Sequence, residues 1–420
     1  EQAGPTASTS ADEQELVRAA LAAPIGAPPL REQELAGRSI LIIVDDNTRP
    51  TPIHRFMHLV LDELEAGGAE HDRILIMPAL GIHTPMTEAE MADKLGPANL
   101  GLRWRNHDAT DPTAHQQFGT TSRGTPVELN RAVGEAELIV LLGLIEPHLW
   151  AGFGGGLKNL FPGLGSAGAI GRHHAIIAEP PYAFNRVGMA PEANSFRLDL
   201  EGMAAIIGKP IFCLNVVLDP AGVIIGAFAG DSVGAHRRGV AFTQELAGRR
   251  IARPVDGIIV NSHPMDINFK QSMKAVGNSL PAVKPGGAVM GFLRAQRGLD
   301  DIPLPDDARP LWLVKTILRV LGKARIMGFL ERTASGLNVE EKFLRYYSMQ
   351  LIRGYELYFH VPTLDAMVVQ RLGFFRHFPE PQDVIEAGRK RLGRRATVAV
   401  FPEAGATFPL LPPQATPTVI

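Results

Sequence analysis

Ser39-Ile40-Leu41-Ile42-Ile43-Val44-Asp45 is the stretch on which the fold turns. Its five apolar residues run without a polar interruption and end in a carboxylate, the pattern of a strand buried on both faces. Ile53 to Gly67 follows with helical spacing and a glycine to stop it. Further along, Arg73 to Met77 reads as a second short strand, Val127 to Ala136 as a helix and Leu138 to Leu142 as another buried strand. Toward the N-terminus, Asp12 to Ala22 reads as a helix, followed by a Pro- and Gly-rich connection. Buried strands separated by amphipathic helices predict an α/β fold whose sheets are mostly parallel and covered on both faces. In such sheets ligands gather beyond the carboxyl ends of the strands.

A second α/β unit begins near Pro254, with a strand over Asp256 to Val260, a helix over Phe269 to Val276 and a strand over Gly287 to Leu293. The expected organisation is an N-terminal domain over residues 1–253 and a C-terminal domain over 254–393. The tail, 394–420, is expected to return to the first domain, and the active site to lie in the cleft between the two.

Bulk composition narrows the function. With 45% hydrophobic and 20% charged residues the chain has the balance of a soluble globular protein. A net charge of −2 without a long basic run argues against nucleic acid, whose phosphates call for clustered Lys and Arg. No apolar stretch approaches the roughly 20 residues of a membrane span, and no signal peptide is visible, so a cytoplasmic location is expected. The single cysteine, Cys213, lies in the apolar run Ile211 to Val217 and reads as a core side chain. One thiol makes no Cys-rich metal site, so any metal must lean on His, carboxylates or a bound cofactor.

The most unusual segment is Gly152-Phe153-Gly154-Gly155-Gly156-Leu157-Lys158-Asn159. Four glycines before a lysine let a backbone approach an anionic ligand closely; the alternative is a flexible surface loop. The segment lacks the Gly-Lys-Ser/Thr of a phosphate loop, and Leu157 stands where a dinucleotide fingerprint needs its last glycine. His83, in Gly81-Ile82-His83, and His148, in Glu146-Pro147-His148, each follow a predicted strand. Two imidazoles at equivalent strand ends suit acid/base work, because imidazole titrates near working pH. His54, His58, His71, His107 and His115 have no such placement and read as surface or packing residues.

Asp45-Asp46-Asn47-Thr48-Arg49-Pro50-Thr51 packs carboxylates, hydroxyls and a guanidinium into one strand-to-helix turn. Asp46 or Thr51 as a helix cap is one explanation. Arg49 points to another, since a cap has no use for a guanidinium and an anionic ligand does. Gln271 and Lys274, three apart, share one helix face, a weak signal by itself.

Taken in order, these segments resemble the nickel-dependent lactate racemase family. The likeness runs from Asp46 to about Pro409 and includes the stretch from Asn215 to Arg237. It implies a cytoplasmic enzyme that inverts C2 of a small 2-hydroxy acid, a racemase or 2-epimerase. The implied cofactor is a nickel-pincer nucleotide, of the pyridinium-3,5-bisthiocarboxylic acid mononucleotide type, whose sulfur arms grip one Ni. By the same resemblance Lys158 anchors the nucleotide covalently, with Gly155 and Gly156 beside it. His174, or its neighbour His173, is the nickel ligand. His83 and His148 are the acid/base pair, Asp46 and Arg49 hold cofactor or substrate anions, and Gln271 and Lys274 bind substrate from the second domain. The family more often has Ser-Gly-Gly-Pro-Lys where this chain has Gly154-Gly155-Gly156-Leu157-Lys158.

Two other readings compete. A nicotinamide-dependent oxidoreductase calls for a Gly-x-Gly-x-x-Gly turn after an early strand, and the sequence has none there. A non-catalytic nucleotide- or nickel-binding protein would keep Lys158 and the glycine loop without needing both His83 and His148.

Overall fold

The computed structural model describes residues 10–412, apart from 100, 179–183, 300, 301, 303, 305–309 and 334–338. The chain forms α1 (Ser10–Ala22), β1 (Ile40–Val44), α2 (Met57–Ala66), β2 (Ile74–Pro78), α3 (Glu88–Leu95) and β3 (Arg103–Trp104). A hairpin of β4 (His115–Thr120) and β5 (Pro126–Asn130), then α4 (Arg131–Glu135) and β6 (Leu138–Leu144), follow. Next come β7 (Pro147–His148), β8 (Gly152–Phe153), α5 (Leu157–Leu160), α6 (Ala167–His174), α7 (Ser195–Ile207), β9 (Ile211–Leu218), β10 (Ile224–Asp231) and α8 (Gly234–Ala247). Two compact units result. The first holds Glu1–Glu146, Phe153–Ile176 and Ala190–Leu246; the second holds Pro147–Gly152, Ile177–Met189 and Ala247–Ile420.

The first unit is built on a six-stranded sheet in the order β10-β9-β6-β1-β2-β3, parallel except where β10 pairs with β9. Every residue of β1 and β6 is buried, as expected of strands covered on both faces. On one face Ile40, Ile42, Val44, Ile76, Val140 and Leu142 pack with Val17 and Leu21 of α1 and with Met57, Val60 and Leu64 of α2. Cys213 is fully buried in β9, the core position expected of it.

The second unit carries β11 (Gly248–Arg250), β12 (Val255–Asn261), α9 (Phe269–Ser279), β13 (Val283–Phe292), α10 (Leu311–Thr333, kinked at Gly322) and α11 (Val339–Gly354). It ends with β14 (Glu356–His360), α12 (Ala366–Leu372), β15 (Arg376–His377), α13 (Pro381–Leu392), β16 (Val398–Phe401) and β17 (Phe408–Leu410). Its five-stranded sheet, β15-β14-β13-β12-β16, is parallel throughout. No helix among the described residues is long and apolar enough to cross a membrane.

Three expectations need correction. Val127 to Ala136 is not one helix: Val127 and Leu129 are buried on alternate positions of β5, and only after Asn130 does the chain turn helical. The Asn130 side chain accepts from the Ala132 amide and caps α4, which is what separates strand from helix. The tail does not return to the first unit. β16 pairs in parallel with β12, and β17 with β11, so sheet hydrogen bonding holds the tail in the second unit. Nor does one cut near residue 253 divide the chain, because Pro147–Gly152 and Ile177–Met189 belong to the second unit.

Candidate active site

In the first unit β6, β1 and β2 are neighbours and end together, with Val44 paired to Pro78 on one side and to Leu142 on the other. The segments from Asp45, Ala79 and Ile145 therefore leave the sheet from a common carboxyl edge.

The first of these segments is tied down by its own side chains. Thr51 Oγ1 donates to the buried Asp45 carboxylate. Asp46 Oδ1 accepts from the Thr48 amide at 3.1 Å and from its hydroxyl, while Oδ2 meets His83 Nδ1 at 2.5 Å. Burial pushes the Asp46 carboxyl up, but the His83 bond and charge, the Thr48 bond and Arg49 outweigh it, and the net shift is downward. Neither Asp46 nor Thr51 caps α2, whose N-cap has no side-chain hydrogen bond. Arg49 Nε pairs with Glu146 Oε1 at 3.2 Å, which links the end of β1 to the end of β6. From α3 the buried Lys94 donates to the carbonyls of Arg49 (2.9 Å) and Thr51 (3.3 Å). A capping box of Thr87 and Glu90 fixes the start of α3, and Glu90 also accepts from Asn47.

The glycine loop is equally constrained. Gly155 and Gly156 have φ of +72° and +57°, which side-chain-bearing residues rarely adopt. A Cβ on Gly155 would sit 2.8 Å from Asn215 Oδ1 and 2.9 Å from the Leu144 carbonyl. Asn215 Oδ1 accepts from the Gly156 amide at 2.7 Å, and His236 Nε2 lies 2.9 Å from the Gly154 carbonyl. Arg197, buried in α7, donates to the carbonyls of Phe153 (2.6 Å), Gly155 (3.2 Å) and Gly154 (3.5 Å). Burial brings its guanidinium down to about 10, so it keeps its charge at neutral pH. The glycines thus let the loop pack against its own protein, and the flexible-loop alternative fails.

Lys158 lies in the first turn of α5 and is half-buried. Burial, then Arg49 and Arg197, lower its amine to about 7 against the pull of Asp45 and Glu146. Among the described residues its amine has no hydrogen bond and no ion pair. A large fraction is therefore neutral and nucleophilic at physiological pH.

Two histidines end α6, and the structure separates them. His173 is packed between Phe161 and Phe196, with ring centroids at 5.2 and 4.1 Å, and its Nε2 lies 3.3 Å from the Phe196 carbonyl. That is a core residue. His174 meets the Ile170 carbonyl through Nδ1 at 2.8 Å, which fixes a tautomer with its lone pair on Nε2. Burial, then the charges of His173 and Lys158, hold it neutral. Among the described residues no group of three or more His, Cys, Asp or Glu is placed to hold a metal ion.

The remaining candidates belong to the second unit. His148 Nδ1 accepts from the amides of Trp150 and Ala151, each at 3.2 Å, and its ring packs edge-on to Trp150 at 5.8 Å. Gln271 and Lys274 are half-buried on α9, whose start is capped by Asn268 accepting from the Gln271 amide at 2.8 Å. Arg186 N donates to the Leu149 carbonyl at 2.8 Å, and Asn185 donates to the Gly277 carbonyl at 2.6 Å, so the segment after His148 and helix α9 share one scaffold. The candidates thus divide: Asp46, Arg49, His83, Lys158 and His174 stand on the first unit, and His148, Gln271 and Lys274 on the second.

Arg197, Lys94 and Glu146 went unrecognised in the sequence. An isolated Arg or Lys on an amphipathic helix looks like solvated surface, and nothing local marks these two as buried. Asn215 and His236 did carry a signal, since both lie in the stretch that resembles the family. His107 is buried near the Gly165 carbonyl at 3.0 Å and lowered to about 4 by burial, in keeping with a packing role.

Together, these features define a two-unit α/β protein with a nucleophilic lysine on a rigid glycine loop and histidines at strand ends. Comparison with known proteins makes this specific. Residues 3–184 match the model of the lactate racemase N-terminal domain. The chain is 35% identical over 282 residues to the lactate racemase of Thermoanaerobacterium thermosaccharolyticum, covering 66% of this chain and 65% of that protein. It is 34% identical over 289 residues to the lactate racemase of Lactiplantibacillus plantarum, covering 68% and 67%. Those alignments span about two thirds of the relatives' length. The fold superposes on the lactate racemase apoprotein of Thermoanaerobacterium thermosaccharolyticum with a TM-score of 0.79 at 25% identity, covering 95% of this chain and 93% of that one. A Thermotoga maritima protein shares the fold alone, at a TM-score of 0.62 and 16% identity. The chain belongs to the lactate racemase family.

Proposed function

We propose that this chain is a racemase or 2-epimerase of small 2-hydroxy acids that works with a nickel-pincer pyridinium nucleotide anchored on Lys158. The observation that carries the reading is the Lys158 amine, lowered to about 7 and without a hydrogen bond or ion pair among the described residues, on a loop whose backbone is fixed by Arg197, Asn215 and His236. The donor set fits the group. A neutral His174 with its lone pair on Nε2 supplies one protein ligand, and a pincer supplies the other donors.

The chemistry explains why such a group is needed. The C2 hydrogen of a 2-hydroxy acid beside an ionised carboxylate is too weakly acidic for any histidine to remove as a proton. When bound, the nucleotide supplies an electron-poor ring and metal that accept that hydrogen as hydride and return it. The chain's own residues then have simpler tasks. His83 and His148 handle the hydroxyl proton, and Arg49 and Lys274 bind the carboxylate while the planar 2-oxo acid turns. Asp46 is a poor holder of anions, because it is itself a carboxylate and its two oxygens are engaged by Thr48 and His83.

The test is a chiral assay on protein produced together with the pincer-nucleotide biosynthetic enzymes. Enantiopure lactate, malate, a longer 2-hydroxy acid, an aromatic one and a sugar acid would be followed separately. Loss of optical purity for at least one, abolished in Lys158→Ala, is expected. Retention of optical purity across the panel by loaded protein would refute the reading.

A further inference from the structure

The net charge of −2 conceals one basic run: six of the seven residues from Arg389 to Arg395 are Arg or Lys, against the expectation that the chain has no such cluster. The run begins in the last turn of α13, where cations offset the helix dipole, and continues past its C-cap, Gly393. The dipole accounts for Arg389 to Arg391 alone. Arg391 turns toward Glu356 (3.9 Å), a carboxylate already held by Lys315 at 2.7 Å and Arg319 at 3.5 Å. Arg389, Lys390 and Arg394 line an open groove of about 620 Å³, and Arg376 joins them from the edge strand β15.

All of the groove belongs to the second unit. Helix α13 buries Val384 and Gly388 against Met290 of β13, where a Cβ on Gly388 would collide with the Met290 sulfur, so its flank with Asp383, Glu386 and Lys390 faces out. The Arg376 guanidinium is held over the rings of Tyr358 and Phe378, 5.7 Å from each centroid, which orients it without neutralising it. Among the described residues none of the four lining cations makes an ion pair, and neither do the two lining carboxylates, Asp383 and Glu386. The charges are sorted along the helix. Asp383 and Glu386 stand toward its start, Lys390 and Arg394 toward and beyond its end, with Asp383 and Lys390 about 10 Å apart by the rise of an α-helix.

We propose that this groove binds a small sugar phosphate, with the phosphate on Arg376, Arg389, Lys390 and Arg394 and the sugar hydroxyls on Asp383 and Glu386. Four cations against two carboxylates leave two positive charges, which matches the roughly −2 of a phosphate monoester at neutral pH. Arginine forks suit phosphate oxygens, and ionised carboxylates accept from sugar hydroxyls while repelling a second phosphate. That polarity disfavours a nucleic-acid strand, whose phosphates would run past Asp383 and Glu386 as well. The volume lies within the roughly 300–1,000 Å³ of small-molecule sites. The groove is separate from the Lys158 loop, which belongs to the first unit.

Isothermal titration calorimetry on the cofactor-free chain tests this with ribose 5-phosphate, ribose, inorganic phosphate and a short DNA duplex. Ribose 5-phosphate is expected to bind about tenfold more tightly than inorganic phosphate, and ribose not measurably. Arg376→Gln combined with Lys390→Gln should weaken ribose 5-phosphate about 100-fold, whereas Lys158→Ala should leave it unchanged. Asp383→Asn should weaken the sugar phosphate about threefold and leave inorganic phosphate no weaker. Arg376 and Lys390 are exposed, so the melting temperature should match wild type; if Arg376→Gln lowers it, Lys390→Gln with Arg394→Gln carries the test from outside the sheet. Sugar-phosphate binding that survives the groove variants lies elsewhere and overturns the proposal, as does a wild type that does not bind ribose 5-phosphate at millimolar concentration. A duplex that binds where ribose 5-phosphate does not would make the groove a nucleic-acid surface and overturn it equally.

Discussion

The glycine loop of the first unit and helix α9 of the second carry candidate residues in very different surroundings. Around Gly154 to Lys158, buried side chains hold the backbone: Arg197 donates to three carbonyls, Asn215 Oδ1 accepts from the Gly156 amide, and His236 meets the Gly154 carbonyl. Around Gln271 and Lys274 the backbone is ordinary amphipathic helix with an Asn268 cap, and both side chains are half-buried. The difference matches the tasks proposed for them. A covalent anchor has to hold a reactive amine in one place without a partner, so rigidity is supplied from beneath. The substrate-binding role proposed for Gln271 and Lys274 asks only for a helix to stand on.

That contrast is breakable. The largest effect is expected from Arg197→Met, which removes the charged donor shared by three buried carbonyls, leaving Gly154 to His236 and Gly155 to the Lys158 amide, and should cost about 3–5 kcal/mol of stability by chemical denaturation. A loss under about 1 kcal/mol would mean the loop does not depend on this guanidinium. Gly155→Ala comes next, at about 2–3 kcal/mol, from a positive φ and a methyl group too close to Asn215 and Leu144.

On the other side of the comparison, Lys274→Met should raise KM about tenfold, the worth of one charge-assisted hydrogen bond. An unchanged KM would remove the substrate-binding role proposed for Lys274. The last effect has the opposite sign: Lys158→Met should stabilise the cofactor-free chain at pH 7 by at most about 5 kcal/mol, the full linkage value of its shift, and by less because the half-buried amine keeps part of its water. The amine falls from an ordinary 10.5 to about 7 on folding, so its cost appears as pH drops from 10.5 toward 7 and is constant below. The gain of Lys158→Met should therefore shrink as pH rises to 10. A melting series that shows a constant or growing gain would contradict the assigned environment.

Much of this was legible in the sequence because it follows from short-range pattern. The unbroken apolar runs at Ile40 to Val44 and Leu138 to Leu142 became adjacent parallel strands, and the polar residues just after them emerged at one sheet edge. Val127 to Ala136 was misread because a three-residue alternation, Val127-Glu128-Leu129, is too short to distinguish from the helix that follows it. The tail was misplaced because nothing in Val398 to Phe401 says which sheet it will join; register with β12 decides that. Arg197 was invisible for a related reason. Its three acceptors are backbone carbonyls more than forty positions away, and carbonyls have no sequence signature. The Asp46–His83 contact also joins distant residues, yet both stood at strand ends and were singled out on that ground; only their mutual role required coordinates.

The claim that the glycine loop is the cofactor anchor is tested most directly by intact-protein mass spectrometry with nickel analysis, on chain produced alongside the pincer-nucleotide biosynthetic enzymes. The account predicts a stable mass increase that maps to Lys158, about one nickel per chain, and neither in Lys158→Ala. Protein with no adduct and no nickel, from a host in which a lactate racemase of the same family loads fully, would contradict it.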